Sequence, residues 1–171
     1  TGKTTFLNIQ TGKIPADEGE VSIRKDIRVG YLDQSPSFDE SLPVLEVIFS
    51  SNNPVAQVVK RYEHAIESDN HDELAEVMED MDKLNAWDFE YRTKEVLGRL
   101  GIHHTENAYG TLSGGQRKRV ALAKVLLEDP DLLILDDFGI APIAAHERND
   151  LLELLDDRVG TRSTLITSQL P

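Results

Sequence analysis

The chain has 171 residues, 39% of them hydrophobic and 29% charged, and no cysteine. That length and composition fit one globular domain with its own core and exclude wholesale disorder, disulfides and thiolate metal sites. A formal net charge of −13 repels nucleic acid at long range, so an RNA or DNA partner needs a local basic patch or a further part of the protein.

Along the chain, Thr4 to Gln10 reads as a short helix and residues 12–19 as a polar connection. Glu20–Ile23 and Ile27–Leu32 read as two strands around the charged turn Arg24-Lys25-Asp26. From Ser35 to Gly110 the pattern is helical. Pro43 and Pro54 each open a helix, and apolar stripes follow at Val55, Val58, Val59, Tyr62 and Ile66, then at Leu74, Val77, Met78 and Met81, then at Val96, Leu97 and Leu100, closed by Gly101. Carboxylates crowd Glu63 to Glu95. They read as solvated outer faces, with a partner-binding acidic arm as the alternative.

From Leu112 onward come a loop, a helix over 116–128, the strand Leu132–Leu135, a helix over 145–157 and the strand Thr164–Thr167. The apolar run Leu132–Leu135 is too short to cross a bilayer, and no membrane insertion is expected. The strand–helix alternation predicts an α/β fold with a parallel central sheet, and Gly2-Lys3-Thr4 together with the Asp136-Asp137 strand end make it a P-loop NTPase with a helical subdomain inserted. The expected parts are a partial core (1–34), a helical subdomain (35–110) and a second core segment (111–171). The five histidines form no metal constellation, and Trp87 and Phe89 read as packing residues.

Four patches carry chemistry. Thr1-Gly2-Lys3-Thr4-Thr5 has the form of the end of a G-x-x-x-x-G-K-[ST] loop. Gly2 lets the backbone N–H groups approach a triphosphate, Lys3 reaches the β/γ oxygens, the Thr4 hydroxyl binds Mg²⁺, and a helix N-terminus stands behind. Leu132-Leu133-Ile134-Leu135-Asp136-Asp137 is a buried strand ending in two carboxylates. Asp136 is placed to hold Mg²⁺ and Asp137 to orient or deprotonate the attacking water. Leu112-Ser113-Gly114-Gly115-Gln116-Arg117 is a glycine loop running into a helix, suited to a phosphate. Gln34 ends Gly30-Tyr31-Leu32-Asp33-Gln34 directly after a strand.

From Thr1 to Asp136 these motifs resemble the ABC-F proteins, especially the Uup-like branch, on Val29 to Gln34, on Leu84-Asn85-Ala86-Trp87-Asp88-Phe89 and on Leu112 to Asp136. The resemblance implies a cytoplasmic ATPase of two cassettes, with a helical subdomain between Q-loop and signature loop and a link to the ribosome or RNA. It implies that Ser113, Gly114, Gly115 and Gln116 clamp the γ-phosphate of ATP held by a second cassette, and that Gln34 contacts Mg²⁺ and the attacking water. ATP and Mg²⁺ are the expected cofactors.

After Asp136 the chain departs from that family. Asp137-Phe138-Gly139 stands where Glu-Pro-Thr is expected, and Gln169 where a switch His is expected. This tail, over 132–171, resembles IstB-like AAA+ transposition helper ATPases on Leu133 to Gly139, Asp150 to Glu153 and Arg162 to Pro171. That resemblance implies a γ-phosphate sensor at Gln169 or Ser168, and DNA and a transposase as partners. The chain thus reads as a junction between two families at a shared acidic strand. The intact parent is expected to hydrolyse ATP. This chain, starting inside its phosphate loop and carrying Asp137 for Glu, is expected to turn over little. Alternatives are a non-catalytic nucleotide-binding or interaction module and a transporter ATPase subunit.

Overall fold

A computed structural model describes residues 2–32, 36–50, 53–136 and 145–167, with the backbone alone at Lys3 and 145–148. The chain divides into two compact units, Thr1–Ser37 with Val125–Pro171, and Phe38–Lys124.

The first unit is an α/β layer. Its strands β1 (Val29–Leu32), β2 (Leu132–Leu135) and β3 (Ser163–Ile166) lie side by side in that order, all parallel. Val29 faces Leu132 and Leu132 faces Ser163, so the three strands end at one level. The middle strand is the most apolar because it is covered on both faces: Leu133 and Leu135 are buried on one and Ile134 on the other. β3 is exposed along its length, with Leu165 and Ile166 open to solvent. Helix α1 (Gly2–Gln10) sends Leu7 into the core and ends at Gly12, whose φ of 74° suits glycine. β3 follows helix α7 (Ala145–Asp156), where Leu151 is buried and Leu154 and Leu155 are half-buried, the apolar face read from the sequence.

Parallel pairing fixes the entrances to the strands as well. Asp131, just ahead of β2, accepts the Arg28 N–H at 2.9 Å and pairs with Arg162 at 2.6 Å, gathering the starts of all three strands. That backbone N–H holds the Asp131 carboxyl below its ordinary range, helped by Arg162 and Arg28 and opposed by slight desolvation. Buried Arg158 donates to the carbonyl of Pro130 at 2.7 Å on the same side.

The second unit is helical: α2 (Val44–Phe49), α3 (Pro54–Glu67), α4 (His71–Lys83), α5 (Phe89–Arg99) and the greater part of α6 (Gly114–Leu127). Pro43 precedes α2, and Pro54 occupies the first turn of α3, where its missing N–H costs nothing. Asn53 and Asn70 cap α3 and α4 by accepting the N–H of Val55 and Glu73. The stripes read from sequence bury Val58, Val59, Val77, Met81, Leu97 and Leu100, whereas Ile66 and Met78 stay exposed.

One expectation fails. Glu20–Ile23 is not a strand: Val21 and Ile23 are exposed and no neighbouring strand pairs with them among the described residues. Alternation alone does not make a strand without a partner edge. The next strand starts later than expected, at Val29, because Arg28 is engaged by Asp131.

Gly30 shows how tightly β1 is held. A Cβ there would lie 2.7 Å from Pro130 Cγ and 2.7 Å from Val125 Cγ1. Gly30→Ala is expected to destabilise the protein by about 1–3 kcal/mol through overpacking, read as a lower urea midpoint at unchanged slope. An unchanged midpoint contradicts the close approach.

Candidate nucleotide-binding site

In a parallel sheet, ligands bind beyond the carboxyl ends of the strands. Asp136 sits there, immediately after β2, and is only 3% exposed. Tyr31, in the last turn of side chains on β1, donates its hydroxyl to Asp136 Oδ2 at 3.0 Å. Thr167, immediately after β3, donates its hydroxyl to Asp136 Oδ1 at 2.9 Å. The backbone joins in: Asp136 N–H donates to the Leu32 carbonyl at 3.2 Å and Thr167 N–H to that of Leu135 at 2.9 Å. All three strands therefore converge on one carboxylate, with each oxygen occupied by a hydroxyl donor.

Hydroxyls orient a buried carboxylate without neutralising it, and an uncompensated buried charge is costly. A cation near Asp136 resolves that cost. Hard oxygen donors suit Mg²⁺, which characteristically takes one or two protein oxygens and completes its shell with phosphates and water. No group of three or more His, Asp or Glu side chains forms a metal cage among the described residues. The single buried Asp136 carboxylate is a donor set that fits Mg²⁺ arriving with a phosphate ligand.

Gly2, Lys3, Thr4 and Thr5 form the first turn of α1, with Gly2 exposed and Thr4 half-buried. A Cβ at Gly2 would meet nothing within 4 Å, so space remains beside that backbone. Past the end of α1, the Lys13 ammonium lies 4.0 Å from the centre of the Tyr31 ring, a cation–π contact on the same phenol that binds Asp136. Gln34, Asp137 and Gln169 lie outside the described residues, as do Asp33 and Ser168.

The glycine loop in the helical unit is built by local chemistry. Ser113 and Gln116 form a reciprocal capping box: Ser113 N–H donates to Gln116 Oε1 at 3.0 Å and Gln116 N–H to Ser113 Oγ at 3.3 Å. Gly114 and Gly115 begin α6 between them, so their N–H groups occupy the first turn, where a helix lacks internal acceptors. Arg117 fastens the loop from behind, donating to the carbonyls of Leu112 at 3.1 Å and Gly110 at 2.7 Å and pairing with Glu40 at 2.6 Å. Its guanidinium also stacks 5.3 Å from the centre of the buried Tyr109 ring.

Three roles escape a motif reading: those of Tyr31, Thr167 and Arg117. A polar side chain at the end of each flanking strand is the available signal for the first two. Arg117 carries none, because its partners are carbonyls gathered by the loop. The capping box is legible as S-x-x-Q in Ser113 to Gln116.

The ABC transporter family profile matches residues 1–138. The chain belongs to that family. It is 37% identical over 164 residues to the ABC transporter ATP-binding protein YfmR of Bacillus subtilis strain 168, covering 91% of this chain and 25% of the relative. It is 32% identical over 143 residues to the energy-dependent translational throttle protein EttA of Mycobacterium tuberculosis H37Rv, covering 80% of this chain and 26% of that protein. The chain thus spans about a quarter of the length of these relatives. A shorter match, 46% over 80 residues, joins 47% of the chain to 30% of the ATP-binding protein of insertion sequence IS1162 from Pseudomonas fluorescens. Among solved structures, a dimeric post-hydrolysis state of the ATP-binding cassette MJ0796 bound to ADP and Pi superposes with a TM-score of 0.64 at 18% identity, covering 99% of this chain and 70% of that one. The α/β fold of this ABC family member is therefore that of an ATP-binding cassette, as its motifs imply.

Two outcomes test the local geometry. Tyr31→Phe deprives Asp136 Oδ2 of its donor and is expected to cost about 1–3 kcal/mol, measured by chemical denaturation, with Tyr91→Phe on the exposed surface as a neutral control. Arg117→Ala is expected to raise hydrogen exchange over 110–116 and leave the sheet protected, and Arg117→Lys not to restore protection because an ammonium lacks the planar fork.

Proposed function

We propose that this chain is part of an ABC-F type ATPase of the Uup-like branch. It binds ATP with Mg²⁺, and its intact parent couples hydrolysis to cassette closure on a ribosome or another ribonucleoprotein. The observation that carries the reading is the buried Asp136 carboxylate, held by Tyr31 and Thr167 at the carboxyl end of a parallel sheet. In this reading Gly2, Lys3, Thr4 and Thr5 hold the triphosphate. Thr4, Asp136 and Gln34 serve Mg²⁺, directly or through water. Asp137 orients or deprotonates the attacking water, and Gln169 senses the γ-phosphate.

Bound Mg²⁺ supplies charge neutralisation at the transferring phosphoryl group. The protein's own contribution is placement. Tyr31 and Thr167 fix both Asp136 oxygens, so the carboxylate need not reorganise when charge develops. Ser113, Gly114, Gly115 and Gln116 offer helix-start N–H groups to the phosphate of a second cassette, of the same or another chain. The name of EttA supports the translational link, and the Leu84 to Phe89 segment supports the ABC-F assignment over a transporter subunit.

A second reading, an IstB-like ATPase assisting DNA transposition, draws on the 80-residue match to the IS1162 protein and on the tail from Asp137 to Pro171. The net charge of −13 weighs against it, since duplex binding requires a basic surface. A third reading, a catalytically weak nucleotide-binding or interaction module, predicts binding without turnover.

Fluorescent ATP-analogue binding and phosphate release, each with and without Mg²⁺, separate these readings. Lys3→Ala and Asp136→Asn are both expected to lower the Mg²⁺-dependent signals by roughly a hundredfold. Nucleotide binding indifferent to both substitutions removes the proposed site, and tight, salt-sensitive duplex DNA binding by the wild-type chain favours the second reading.

A further inference from the structure

The helical unit keeps an aromatic and aliphatic surface uncovered. Trp87 is 48% exposed and Tyr91 71% exposed, and Ile66, Met78 and Leu84 are also open. Trp87 links the α3 and α4 members of this set. Tyr62 packs edge-on against Trp87 with centroids 5.2 Å apart, and Ile66 lies one turn further along α3. Trp87 donates its indole N–H to Asp82 Oδ1 at 2.6 Å, and Met78 lies one turn before Asp82 on α4. The opposite flank of the α3–α4 pair is polar, where Arg61 reaches Glu76 and Asp80. The indole is thus held on one rim while its ring remains accessible.

The rim of this surface is acidic. Between Pro54 and Arg99 twelve Asp and Glu stand against six Lys and Arg. Glu63, one residue beyond Tyr62, is raised above its ordinary range, first by burial and then by the carboxylates of Glu90, Glu46 and Glu67, with Lys60 opposing. Lys60 pairs with Glu46 and Lys94 with Glu90, yet the segment retains its excess of negative charge. Phosphate backbones are repelled by such a rim, whereas Lys and Arg side chains are drawn to it and lay their aliphatic stems on aromatic faces.

We propose that the surface formed by Ile66, Tyr62, Met78, Trp87 and Tyr91 docks a cationic amphipathic segment of a partner protein, and that this face does not contact RNA. The apolar side of the segment covers the aromatic residues while its Lys and Arg engage Glu63, Glu67 and Glu90. This inference does not rest on the nucleotide reading, which uses none of these residues.

Trp87 is the chain's single tryptophan, so its fluorescence reports on this surface alone when the probes lack tryptophan. The full chain is titrated with a Lys/Leu amphipathic helical peptide, a Glu/Leu peptide of the same pattern, and polyuridylate. The Lys/Leu peptide is expected to shift Trp87 emission saturably and to weaken at high salt. Glu63→Gln/Glu67→Gln/Glu90→Gln is expected to weaken it about tenfold, whereas Asp17→Asn/Glu18→Gln/Glu20→Gln, in the other unit, leaves it unchanged. The proposal is overturned by no saturable shift, by equal loss in the two triple variants, by equal binding of the Glu/Leu peptide, or by a saturable Trp87 shift with polyuridylate alone. Circular dichroism confirms that each variant is folded, and a peptide titration by calorimetry repeats the comparison without relying on the indole.

Discussion

The structure depends on the burial of one carboxylate. Asp136 is almost wholly removed from solvent, and a buried carboxylate demands hydrogen-bond donors. The fold supplies them from both neighbouring strands, Tyr31 on one side and Thr167 on the other. Because each donor sits at a strand end, the demand can be met only if three strands run parallel and stop at the same level, which the register achieves. Sheet topology and site electrostatics are thus a single constraint seen from two directions.

The same logic runs at the other end of the sheet with opposite consequences. Asp131 is engaged by a backbone N–H and by arginines just ahead of the flanking strands, and it is partly open to solvent, where no ligand is needed to complete it. Acid at the strand starts organises the fold. Acid at the strand finishes is held, among the described residues, by hydroxyls, which leave its charge for the proposed cation to meet. The contrast explains why two aspartates only five residues apart serve different ends.

Much of this was legible in the residues because the decisive features are local. The apolar run Leu132–Leu135 reads as a covered strand and is one. Pro54 announces a helix start that appears where expected, whereas α6 starts at Gly114, two residues ahead of the expected 116, because the Ser113–Gln116 box caps it there. The strand expected at Glu20–Ile23 failed because alternation records a preference but not the presence of a neighbour. Tyr31 and Thr167 escaped a motif reading for a related reason. Their role exists only once strands 105 and 31 positions apart lie side by side, and a polar residue at a strand end does not say which neighbour it will meet. Arg117 is a milder case, since its carbonyl partners come from a loop whose shape it helps to create.

The pairing of Val29 with Leu132 has a kinetic side. Closing that loop in an unfolded chain is entropically uphill, and the cost grows only slowly once a compact body shortens the effective tether. The α3–α4 hairpin and its neighbours are joined by short-range contacts and can condense early. The two halves of the ladder therefore differ in tether: β1 reaches β2 across the whole helical insertion, whereas β2 reaches β3 across the α7 connection alone.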